Sequence, residues 1–161
     1  MIYTGNYQNC KTNTIKTFSI SKDKGKDAGY NGQCFSLLAP KEDFFRKWRN
    51  NKGKISDEEN NHFYIYSYYT EVLKDLDPEE IYKKLNNSIL LCYEKNDEFC
   101  HRHIVSAWLE YYLNIKSYEV KINGEKIIIL NRPENIKKSL FEIIENTTQK
   151  EQPLVRKKEI N

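Results

Sequence analysis

A chain of 161 residues suits one domain with a single buried core, and 39% hydrophobic with 13% aromatic content excludes a disordered, solvating segment. The longest apolar runs, such as Ile127 to Leu130, fall far short of the roughly 18 residues a membrane span needs, so no membrane partner is expected. With 26 basic and 23 acidic side chains, a net charge of +3 describes a mixed, solvated surface and argues against specific nucleic-acid binding.

Met1 to Tyr7 lacks the basic segment, apolar stretch and small-residue cleavage site of a secretory leader. A cytoplasmic location is therefore expected, where Cys10, Cys34, Cys92 and Cys100, none in a CxxC pair, would stay reduced.

In chain order, Ile2 to Thr4 and Ile15 to Ile20 read as short strands, followed by a long polar loop, Lys22 to Gly32. Pro40 opens a helix with Phe44, Phe45 and Trp48 on one face, ending near Gly53. Ser56 with Glu59 fits a capping box, and Ile65, Tyr69, Val72, Leu73 and Leu76 continue at helical spacing. Asp77, Pro78 and Glu80 start a short helix carrying Ile81 and Leu85, which Asn86 and Asn87 end. Ser88 to Glu94 is a nearly unbroken apolar run, the pattern of a strand covered on both faces in a parallel sheet. Behind its loop, Ile104, Val105, Trp108, Leu109 and Tyr112 mark another amphipathic helix. Tyr118 to Ile122 and Lys126 to Leu130 flank Asn123-Gly124 as a hairpin, and Pro133 starts a last helix with Ile136, Leu140, Phe141 and Ile144. The fold class is thus α/β, a mainly parallel, Rossmann-like sheet flanked by helices with a C-terminal antiparallel hairpin and helix. Residues 1–146 form one domain, and residues 147–161 are expected to be a polar, flexible tail.

Chemistry concentrates where the central strand gives way to a helix. Cys100, His101 and Arg102 fall at that helix start, where unpaired N–H groups and the positive helix end favour anions. Ligands of open α/β sheets settle at the carboxyl ends of strands, so Glu94, Thr4 and Ser21 are expected to converge there. The helix end and a neighbouring cation would lower the pKa of the Cys100 thiol and make it a nucleophile.

Leu90-Leu91-Cys92-Tyr93-Glu94 followed by Phe99-Cys100-His101-Arg102 resembles the signature of the family called domain of unknown function 488, a strand leading to a Cys-His-Arg triplet. The similarity extends to Ile2-Tyr3-Thr4, Ser19-Ile20-Ser21, Leu38-Ala39-Pro40 and the tyrosines Tyr64 and Tyr68, covering residues 1–114. Many members carry Asp-x-Arg at the end of the second strand, where this chain has Ser19-Ile20-Ser21 with Lys22 and Lys24 as the nearest cations. The resemblance implies a fold and a site location; it names no reaction.

Each candidate has a plainer alternative. Cys100 as a buried inert thiol, and Arg102 as a partner of Glu94, are the ordinary fates of such residues. Cys92, Cys100, His101 and His103 invite a metal reading, yet Cys92 is expected to point into the core and the spacing matches no common zinc pattern, so no metal and no cofactor are expected. Lys24, in a loop containing Gly25, Gly29 and Gly32, is placed over an anionic ligand, and Tyr64 or Tyr68 beside it.

The leading expectation is a small enzyme acting on an anionic or phosphate-bearing small molecule such as a nucleotide. Cys100 would be nucleophile or His101 acid/base, with Glu94 orienting and Arg102 holding charge. The alternatives are a ligand-sensing module without catalysis and a protein-interaction protein with a vestigial pocket.

Overall fold

The computed structural model describes residues 1–160, with side chains for residues 1–149. The expected central strand is there as β4 (Ser88–Cys92), with every residue buried, because an unbroken Ile-Leu-Leu run leaves no face for solvent. It pairs in parallel with β1 (Ile2–Asn6) on one side and β2 (Lys16–Ser19) on the other, in the registers Asn6 opposite Cys92 and Ser19 opposite Leu91. A two-residue strand, β3 (Gln33–Cys34), extends the sheet beyond β2; it is too short to leave a periodic signal. β5 (Tyr118–Asn123) pairs in parallel with β1 and turns at Gly124, φ 64°, into the antiparallel β6 (Lys126–Leu130). The expected hairpin is therefore the outer part of one six-stranded sheet, ordered β3-β2-β4-β1-β5-β6.

Helices α1 (Glu42–Asn51), α2 (Asp57–Tyr68), α3 (Pro78–Leu85), α4 (His101–Leu113) and α5 (Glu134–Ile160) flank the sheet. Two caps act as the sequence implied: Ser56 Oγ accepts from the Glu59 N–H at 3.1 Å, and Asp77 Oδ1 from the Glu79 N–H at 3.0 Å. Where helical spacing was expected to run on past Tyr69, the turn widens to a π-helical segment, Tyr69–Leu73, beside the Thr70 hydroxyl, which donates to the Tyr66 carbonyl at 2.8 Å. The polar tail expected over residues 147–161 falls largely outside the described side chains. Among the described residues, no helix is long and apolar enough to cross a membrane.

Successive residues of β4 point to opposite faces and so serve different cores. Leu90 joins the large cluster with Trp108, Leu73, Leu140 and the other buried side chains of the helices. Ile89 and Leu91 join a smaller one with Tyr7, Cys10 and Val120, which loop residues rather than helices cover. Gly5 belongs to this tight second layer, because a Cβ there would lie 2.4 Å from Cys10 Sγ and 3.1 Å from the Val120 carbonyl oxygen. Gly5→Ala should therefore destabilise the fold by about 1–3 kcal/mol, the usual scale of overpacking. Urea denaturation checks it, and adding Cys10→Ala should recover part of the loss; unchanged stability of Gly5→Ala would show that this layer is loosely packed.

Candidate active site

β2 and β4 end side by side, and the loop from Tyr93 to Phe99 carries the chain from β4 to the start of α4. Over these ends lies a cavity of about 360 Å³. Phe45, Trp48 and Arg49 of α1, Tyr64 of α2, and Tyr93 and Phe99 of the loop line it, with Ser21, Lys22 and Asp23 from the segment after β2. Its buried end is made by Cys92, Cys100 and His101, with the half-buried Glu94 beside them.

His101 organises that end. A carbonyl oxygen can only accept, so the 2.7 Å contact between His101 Nε2 and the Ile20 carbonyl fixes the ring proton on Nε2. In the neutral ring the Nδ1 lone pair then faces two thiols, Cys92 Sγ at 3.7 Å and Cys100 Sγ at 3.9 Å. Cys92 Sγ also lies 3.5 Å from Glu94 Oε2 and 3.6 Å from Ser21 Oγ. Tyr68, fully buried, backs the imidazole with ring centroids 5.6 Å apart.

The thiol at the helix start does not behave as its position suggested. Burial, reinforced by the neighbouring Cys92, pushes the Cys100 pKa well above the ordinary thiol value, against the smaller opposing influences of Arg102 and His101. Cys100 is therefore a neutral thiol at pH 7, and nucleophilic reactivity requires a base to take its proton. For Glu94, burial opposes the charge, yet hydrogen bonding from Cys100 and from its own backbone N–H holds its pKa below the usual carboxylate value. It is an anion beside the neutral Cys100 thiol.

The walls are aromatic. Trp48, Tyr64 and Phe99 lie against one another with centroids 5.2 to 5.6 Å apart. Two cations stand over Phe45, with Lys22 Nζ 4.9 Å and the Arg49 guanidinium 5.8 Å from the ring centroid. Lys22 is paired with Glu42, whereas Arg49 has no carboxylate partner among the described residues. Asp23 accepts from Tyr93 and from the Gly25 N–H at 2.8 Å, which folds the loop along one edge of the cavity.

Of the residues the sequence singled out, Cys100, His101, Glu94 and Ser21 come together here. Arg102 and Thr4 do not. Arg102 is fully buried and holds Glu119 of β5 through Nε at 3.0 Å and a second nitrogen at 2.8 Å, while the Thr4 hydroxyl donates to the same carboxylate at 2.7 Å. The same Arg102 side chain donates to the carbonyls of Glu94 at 2.7 Å and Lys95 at 3.1 Å. It pins the loop that carries Glu94 and is not presented to a ligand. Tyr68 is likewise withdrawn, since its hydroxyl donates to the Leu38 carbonyl at 2.6 Å. Lys24 is exposed in a left-handed conformation, φ 62°, outside the cavity; Lys22 occupies the place expected for it.

Four contributors escaped the sequence reading. Cys92, expected in the core, faces His101 instead. Phe45 and Trp48 read as a core stripe, yet their face also closes the cavity, and Arg49 read as a solvated cation. His103, by contrast, does not line the cavity; burial and the nearby Arg102 push its pKa down to about 2, so it is neutral.

The family described as the Active DUF488-N3 subclade matches residues 7–113, a span that contains every residue lining the cavity. No curated protein and no solved structure was found to match the chain.

Proposed function

The chain belongs to the DUF488 family, and from that premise we propose that it is a small enzyme acting on a planar, anionic small molecule of nucleotide type. The observation that carries the reading is the imidazole of His101, held by the Ile20 carbonyl with Nδ1 toward Cys92 and Cys100 at the buried end of a ring-lined cavity. Trp48, Tyr64 and Phe99 offer faces and edges for a flat ring, which stacking favours without demanding one base. Arg49 supplies a guanidinium for a phosphate or carboxylate, and Lys22 a second, partly neutralised cation. The thiols, imidazole and carboxylate at the far end are the groups that would exchange protons with a reacting atom.

A thermal-shift screen across nucleotides, sugar phosphates and carboxylates tests the reading first, followed by a turnover assay on any hit. Arg49→Ala is expected to weaken the ligand by about 1.5–3 kcal/mol, the scale of a charged hydrogen bond, with folding intact. His101→Gln and Cys100→Ser are expected to abolish turnover while binding changes little. A ligand that binds near Arg49 but is never turned over would instead identify a sensing module. A chain that no compound stabilises would support the protein-interaction reading.

A further inference from the structure

We propose that Cys92, Cys100 and His101 form a zinc-type metal site whose open fourth position faces the cavity. The inference rests on the reading of this corner as the cavity's chemical end, and it specifies what the corner holds. The two Sγ atoms and His101 Nδ1 lie within 4.8 Å of one another, and all three residues are buried. Zinc bound by sulfur at about 2.3 Å and nitrogen at about 2.0–2.1 Å places neighbouring ligand atoms of a tetrahedron roughly 3.5–3.8 Å apart. The sulfur-to-nitrogen separations here, 3.7 and 3.9 Å, are close to that spacing before any ion draws the groups inward.

The hydrogen bond to Ile20 is an independent sign. A metal-binding imidazole characteristically donates its other N–H to a carbonyl or carboxylate, which fixes the tautomer and aims the lone pair. His101 does so through Nε2 at 2.7 Å. Two thiolates and one imidazole form a soft to borderline donor set that suits zinc and excludes calcium or magnesium as preferred occupants. Binding would release the two thiol protons, and the dipositive ion would balance two buried thiolates that are costly to charge alone. Glu94, 3.5 Å from Cys92 Sγ, is the carboxylate that would accept a proton from a water held by such an ion. The absence of a familiar spacing follows from the fold, because one ligand ends a strand and the other two begin a helix.

The test is a Co(II) titration of the full chain, reduced and stripped with a chelator. One equivalent should develop a thiolate-to-cobalt charge-transfer band with tetrahedral ligand-field bands, and Zn(II) should displace it. Cys92→Ser and Cys100→Ser should each weaken Co(II) by about 100-fold or more, beyond the ~10–100-fold typical of losing an outer-shell partner. Cys34→Ser, at an exposed thiol that does not line the cavity, should leave the titration unchanged. No such band in the parent protein, or a band that survives in both variants, overturns the site, and the parent titration decides even if the variants fold poorly. Turnover that persists after chelation in a protein that binds no Co(II) removes the metal and leaves the enzyme reading standing. Tight Co(II) binding without turnover of any ligand sustains the metal and overturns the enzyme.

Discussion

Arg102→Ala is expected to cost about 3–5 kcal/mol of folding stability, because it strands a buried carboxylate. Glu119 is 1% exposed, and its two oxygens receive the Arg102 fork and the Thr4 hydroxyl. Without the guanidinium, one hydroxyl remains to solvate that charge, and the carbonyls of Glu94 and Lys95 lose their donor as well. Arg102→Lys should recover only part of the loss, since an ammonium lacks the planar fork that reaches both oxygens and the loop together. Replacing both partners, Arg102→Met with Glu119→Leu, should be far less harmful than either single removal, because a buried pair is costly mainly when half of it is deleted. Urea denaturation of the four proteins gives the comparison. A single Arg102→Ala variant as stable as its parent would show that the pair is open to water, and with it that Arg102 is accessible to a ligand after all.

The partner strand makes this pair a feature of the whole chain. Glu119 lies in β5, outside the residues 7–113 that match the family, so the C-terminal hairpin supplies the counter-charge that lets the arginine of the Cys-His-Arg triplet be buried here.

Tyr68→Ala should also cost about 3–5 kcal/mol, as deletion of a buried aromatic ring usually does. The ring lies within the helical core, stacked on Tyr64 at 6.1 Å, edge-on to Phe44 at 6.4 Å and against His101 at 5.6 Å. Tyr68→Phe separates packing from polarity: it keeps the ring and removes the donor to the Leu38 carbonyl, a loss expected to be about 1–3 kcal/mol. Equilibrium unfolding of the two variants measures both parts. Because the ring backs His101, the alanine variant should lose the turnover proposed for this site at temperatures where it is still folded, whereas the phenylalanine variant should retain it. Equal stabilities of the two variants would contradict the packing role.

Much of this fold follows from local chemistry that a linear sequence displays. The apolar run of β4 needs cover on both faces, Ser56 with Glu59 and Asp77 with Pro78 start helices wherever they occur, and Gly124 permits the tight turn between β5 and β6. The corner at Cys100 and His101 was visible for the same reason, since a strand end next to a helix start is a local event. What each side chain faces was decided by partners distant in sequence. Arg102 reads as an anion-binding residue until β5 aligns beside β1 and sets Glu119 opposite Thr4, 17 residues from the arginine. Cys92 lies two positions past Leu90, on the same face, and so points to the helical side of the sheet, as a core residue would. Past Leu90 that side is no longer filled by helix, because Phe45 and Trp48 of α1 stand off from the strand end and leave the cavity in which Cys92 meets His101. Periodicity determines the side of the sheet a residue takes; whether that side is packed or hollow at its position depends on how the helices settle over it.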